Sequence, residues 1–114
     1  MRSTGAHHQE DSLQSKECAQ RLKALGDPIR LKIVNLLSQS EMCVGDLAQF
    51  MELEVVTVSH HLQVLKHSGL VTPRREGKFI YYALTVPVQT VRGQRTRIID
   101  LGCCSIQAPA KAEE

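Results

Sequence analysis

The chain has 114 residues, 42% of them apolar and 23% charged, as in an ordinary single globular domain. Wholesale disorder, low-complexity repeats and membrane spans are excluded, because no apolar run approaches the roughly 18 residues a span requires. The net charge of +2 hides an uneven distribution: residues 66–97 hold seven basic groups against the single acid Glu76, a local charge of +6, and the rest of the chain carries −4. A basic face on a mildly acidic body suits a polyanionic partner, although charge alone fits a solvated helix and hairpin equally well.

Residues 1–13 are polar, with no signal-peptide hydrophobic stretch, so a disordered tail on a cytoplasmic protein is expected. His7 and His8 in that tail offer metal ligands, but a mobile pair there is more often solvated. From Glu17 the spacing turns helical, with Cys18, Leu22 and Leu25 on one face and a stop at Gly26. Asp27-Pro28 supplies an N-cap oxygen and a proline at the first helical position, which starts a second helix carrying Ile29, Ile33, Leu36 and Leu37 inward. After a polar break at 38–41, a short helix over Val44–Met51 and another over about Val56–His67 are joined by a tight connection. The latter turns Val58, Leu62 and Leu65 inward and ends at the left-handed stop Ser68-Gly69. This pair reads as a helix-turn-helix.

Beyond Leu70 the period falls toward two: Val71–Arg75, a turn at Glu76-Gly77-Lys78, and Phe79–Leu84 form a β-hairpin with a basic tip. A last helix is expected from about Pro87 to Leu101, with Val88, Val91, Arg95, Ile98 and Ile99 along one side; Gly93 weakens it by about 1 kcal/mol relative to Ala. The fold class is therefore mainly α with a small β-hairpin, a winged helix-turn-helix over 14–104 between a tail at 1–13 and a flexible end at 105–114. In that layout the second helix of the pair enters a major groove and the hairpin tip reaches backbone or minor groove. The outward residues Thr57, Ser59, His60, Gln63 and Lys66 suit base edges and phosphates. His61, beside the apolar stripe, weighs more as a hydrogen-bonded structural group but stays a candidate. Arg74, Arg75 and Lys78 bracket the wing's turn. With two Phe and two Tyr clustered in the hairpin, base-stacking platforms are poorly supported and duplex DNA is preferred.

Taken in order, Leu25-Gly26-Asp27-Pro28-Ile29-Arg30-Leu31, Glu41-Met42-Cys43-Val44-Gly45-Asp46-Leu47-Ala48, Thr57-Val58-Ser59-His60-His61-Leu62-Gln63-Val64-Leu65-Lys66, Gly69-Leu70-Val71 and Arg75-Glu76-Gly77-Lys78-Phe79-Ile80-Tyr81-Tyr82 resemble the arsenic-repressor (ArsR/SmtB) family of metal-responsive transcription factors. The likeness covers about Cys18 to Leu84. It implies a homodimeric repressor, its first and last helices forming the dimer interface, bound to a double-stranded operator that is an imperfect inverted repeat. Val55-Val56 departs from the family, where polar residues are common.

In a cytosolic chain the four cysteines, Cys18, Cys43, Cys103 and Cys104, should be reduced thiols. Relatives with a thiolate site before the recognition helix carry two cysteines one residue apart; here Cys43 matches the first and Gly45 replaces the second, which makes Cys43 the lesser candidate. From Pro87 to Cys104 there is no histidine and only Asp100 as a carboxylate, which argues against the family's zinc-type site. Cys103-Cys104, with Cys18 as third ligand where the first and last helices should meet, can form the three-sulfur pyramid preferred by trivalent arsenic or antimony. No obligatory cofactor is expected, and arsenite or antimonite is the expected inducer. A disulfide switch for redox or reactive-sulfur signals, and a thiol buffer or metallochaperone, are the alternatives. An enzyme is not expected, because neither a Cys-x-x-Cys motif nor a phosphate-type loop accompanies the thiols.

Overall fold

The computed structural model describes residues 4–109 apart from Arg92 and Gln94, with side chains from Ser15 onward. Helix α1 (Thr4–Leu25) begins well before the expected start at Glu17 and takes up most of the segment read as a disordered tail. That segment lacks an apolar stripe, so periodicity does not reveal it, yet it has no proline and holds good helix formers such as Ala6, Gln9, Glu10 and Leu13. Helix α2 (Pro28–Leu37) starts as the sequence dictates: the Asp27 carboxylate accepts from the backbone N–H groups of Ile29 at 3.0 Å and Arg30 at 3.1 Å. A two-residue strand, β1 (Met42–Cys43), precedes α3 (Val44–Met51). The connection to α4 (Val55–His67) turns on Glu52, which sits in the left-handed region at φ 58°.

Strands β2 (Val71–Glu76) and β3 (Phe79–Leu84) form the expected hairpin, closed over Gly77 at φ 63°, and β1 joins β3 on its other side. The last helix expected from about Pro87 to Leu101 is not found among the described residues. Residues 88–109 instead form a second antiparallel sheet in the order β4 (Val88–Thr90), β5 (Thr96–Asp100) and β6 (Ser105–Pro109). The reason is compositional: Val88, Thr90, Val91, Thr96, Ile98 and Ile99 are β-branched and stiff at χ1, which favours a pleated surface over a helix. Gly93 at φ 78° and Gly102 at φ 99° supply the turns. β6 also carries the folded unit past the expected boundary at 104; residues 110–114 of the expected end lie outside the described residues.

One core unites these elements. Ile33, Val34, Leu47, Val58, Leu62, Leu65 and Leu70 are fully buried, and Ile99 of the second sheet and Leu101, just after β5, join the same cluster. Leu22, expected on the buried face of α1, is instead 45% exposed. Among the described residues no helix is long and apolar enough to cross a membrane.

Candidate nucleic-acid interface and thiol cluster

Helix α4 is anchored by Val58, Leu62 and Leu65, all inaccessible to solvent. Val56, His60 and Gln63, spaced four and three residues apart, therefore share an outward face, with Lys66 exposed at its end and Thr57 and Ser59 half-buried on its flanks. Val56 is 78% exposed at the start of the helix, an apolar group on an otherwise polar face. The Gln63 amide donates to the Tyr82 hydroxyl at 3.4 Å.

His61 stands apart from its neighbours. Its side chain is 15% exposed, and its Nδ1 accepts from Arg30 Nη1 at 3.2 Å while lying 3.9 Å from Asp27 Oδ2. A guanidinium only donates, so Nδ1 carries no proton in this contact. Arg30 Nε donates to the Ala24 carbonyl at 2.6 Å, so the group ties α4 to the α1–α2 junction. The Arg30 backbone N–H is the main influence holding the Asp27 carboxyl below its ordinary pKa, helped by the Arg30 charge and the Ile29 N–H, and opposed by burial. Arg30 was not among the sequence candidates; its role depends on a side chain reaching across helices, which no local pattern reveals.

On the wing, Arg74 is a brace. It donates to Glu41 at 2.9 Å and Glu76 at 3.1 Å, and its guanidinium lies 5.2 Å from the Tyr81 ring centre, its cross-strand partner. The Glu41 hydrogen bond, then that of Glu76, raises its already high pKa. Arg75 and Lys78 are exposed; Arg75 makes a 3.4 Å bond to the Gly77 carbonyl, and Lys78 lies 6.0 Å from the Phe79 ring.

The thiols meet beside α1, about two turns before its C-terminal end. Cys103 and Cys104 sit in the turn between β5 and β6, not on a helix, and that turn is closed by Leu101 N–H to Cys104 O at 2.8 Å and Gly102 N–H to the Asp100 carboxylate at 2.8 Å. Cys18 of α1 is joined to Cys103 by a disulfide, with Cα atoms 5.9 Å apart, so the expectation of four reduced thiols gives way to one bonded pair and two free cysteines. The Cys104 sulfur lies 3.8 Å from that of Cys18 and 4.0 Å from that of Cys103, and all three lie within 4.8 Å of one another. A soft trivalent centre needs three converging sulfurs, which this set supplies once the bond is opened. Cys43 is buried, 6% exposed, at the start of α3 and is not a member of the cluster. The side chains of His7 and His8 lie outside the described residues.

The family model described as "Bacterial regulatory protein, arsR family" matches residues 27–72. The chain is 41% identical over 66 residues to the transcriptional repressor SdpR of Bacillus subtilis, an alignment covering 58% of this chain and 73% of that one. It is 38% identical over 91 residues to an arsenical resistance operon repressor of Staphylococcus xylosus, covering 77% of this chain and 88% of the other. Several other curated relatives are matched over only a little more than half their length. Among solved structures, the homodimeric winged helix-turn-helix DNA-binding domain of Mb0332 from Mycobacterium bovis superposes with a TM-score of 0.62 at 38% identity, covering 65% of this chain and 68% of that one.

Proposed function

The chain belongs to the arsR family of bacterial regulatory proteins, and from that premise we propose that it is a cytoplasmic, homodimeric transcriptional repressor released from its operator when trivalent arsenic or antimony binds the thiolates of Cys18, Cys103 and Cys104. The observation that carries this reading is the convergence of those three sulfurs within 4.8 Å, from residues 85 positions or more apart for Cys18 and the pair. Two relatives support the coarser parts: one is named for arsenical resistance, and the Mycobacterium bovis domain is described as homodimeric. In place of the last helix once expected at the dimer seam, α1 offers the half-exposed Leu22 to a second copy.

In this reading the exposed face of α4 enters a major groove, where His60, Gln63, Thr57 and Ser59 meet base edges or phosphates and Lys66, Arg75 and Lys78 meet the backbone. Val56 has no hydrogen bond to offer; its methyl groups suit the C5-methyl of thymine. His61 and Arg74 act through the protein framework, holding α4 and the wing in place.

The Cys18–Cys103 disulfide favours a second reading, a redox or reactive-sulfur switch. Two electrons and two protons from a cellular dithiol would convert the bond into two thiols, the dithiol leaving as a disulfide. A thiol buffer would account for the cysteines and leave α4 and the wing without a role.

The test is retardation of the protein's own promoter DNA at low salt, after reduction by a phosphine that is then removed, with arsenite, antimonite, cadmium, zinc or peroxide added separately. Arsenite is expected to release the wild type, and Cys103→Ser and Cys104→Ser are expected to bind DNA but ignore arsenite. No retardation rejects the repressor; two responsive variants reject the cluster; release by peroxide alone selects the redox reading.

A further inference from the structure

We propose that Arg21 is a positioning residue that couples the thiol cluster to the C-terminal end of α4. The proposal deepens the reading above by naming how a change at sulfur reaches the DNA-facing helix. Cys18 and Arg21 lie three residues apart on α1 and so share a face. Arg21 Nη1 donates to the Leu101 carbonyl at 2.5 Å, in the turn that carries Cys103 and Cys104. The guanidinium lies between that turn and the end of α4: a β-carbon on Gly102 would lie 3.3 Å from Nη1, and one on Gly69 would lie 3.7 Å from Nη2.

Gly69 is a sensitive place to press. At φ 81° it closes α4, its N–H bonded to the Lys66 carbonyl at 3.0 Å, and the next N–H, of Leu70, bonded to Leu65 at 3.0 Å. Its own carbonyl accepts from the Thr85 hydroxyl at 2.5 Å, and the Leu70 carbonyl accepts from the Thr85 N–H at 2.9 Å, so the chain leaving the wing is tied to the same spot. The cysteine turn is held to α1 both by the Cys18–Cys103 bond and by the Arg21–Leu101 hydrogen bond. When the first is opened, or when three sulfurs close around one ion, the turn is re-seated. The guanidinium follows the Leu101 carbonyl, and its position beside Gly69 changes with it.

The experiment compares the full-length chain in its disulfide form with the form reduced by a water-soluble phosphine, which takes up oxygen from water as phosphine oxide and leaves two thiols. The variants are Arg21→Lys, which keeps the charge without the planar fork, and Arg21→Gln. Two quantities are read: amide hydrogen exchange at Gly69 and Leu70, and affinity for promoter DNA. Reduction is expected to change exchange at these two amides about 5-fold or more in the wild type, the lower end of a coupling between sites, and by less than about twofold in both variants at the same thiol count. Wild-type amides that ignore reduction, or variants that respond as the wild type does, overturn the proposal; the wild-type arm decides even if a variant folds poorly. If the amides respond while DNA affinity does not, the thiol-controlled repressor falls and the coupling stands.

Discussion

Arg74 on the wing and Glu41, just ahead of β1, are joined by a 2.9 Å charge-assisted hydrogen bond across 33 positions of sequence. Both side chains are about half exposed, so the pair contributes at most about 1 kcal/mol to stability. It does decide which cations remain available to phosphate. Arg75→Ala and Lys78→Ala are each expected to reduce the slope of log affinity against log salt by about 1, and Arg74→Ala to reduce it less. Glu41→Gln should steepen the slope by releasing Arg74. Promoter binding measured at several salt concentrations checks all four; an Arg74→Ala loss equal to that of Arg75→Ala would contradict the brace.

Adjacent histidines should separate by property. His60 is exposed on the outward face, so His60→Ala should change stability by less than about 0.5 kcal/mol while weakening promoter binding by about 1–3 kcal/mol. His61→Ala removes the acceptor of Arg30 and should lower unfolding free energy by about 1–3 kcal/mol. Denaturant melts and DNA titrations of the two variants give the comparison, and a His61→Ala protein of wild-type stability would contradict it.

Asp27 links stability to acidity. Its carboxyl pKa is lowered in the folded chain, so the stabilisation it gives is complete above the ordinary value of about 3.9 and is lost as pH falls through the lowered folded value. Asp27→Ala should melt below the wild type by a constant margin between pH 7 and about pH 5, and the margin should shrink below about pH 3.9. A margin that widens on acidification would reverse the sign.

The second sheet is structural, and Ile99 is its buried centre, paired with Val88 on one side and Ile106 on the other. Ile99→Ala should cost about 2–5 kcal/mol in unfolding free energy, whereas Gln89→Ala on an exposed position should cost less than about 0.5 kcal/mol. Near-wild-type melting of Ile99→Ala would mean that the sheet is dispensable to the core.

The helix-turn-helix and wing could be read from the sequence because their signals are local and mutually consistent: Asp27-Pro28 starts a helix, Ser68-Gly69 stops one, and Val58, Leu62 and Leu65 keep one face between. The segment after Pro87 misleads because Val88, Val91, Ile98 and Ile99 fit a helical stripe as well as they fit paired strands, and only β-branching and two left-handed glycines separate the readings. The missed strand at Met42-Cys43 is two residues long and exists through its pairing with Tyr81 and Tyr82. Of the candidate site, Cys103 and Cys104 could be chosen as an adjacent thiol pair and Cys18 only through an expected meeting of the first and last helices; the three sulfurs instead converge from a helix and a hairpin turn. The partners of His61 and Arg74 could not, since Arg30 and Glu41 are 31 and 33 positions away.

The bond from Cys18 to Cys103 spans 85 positions, so everything that would read DNA lies inside one covalent hoop. Closing a hoop of that size restricts the unfolded chain by about 4.5 kcal/mol in the loop-entropy description. A cell that cuts or seals this clasp therefore also sets how readily the reading head unravels, and its lifetime against proteolysis would record the chemistry of its surroundings.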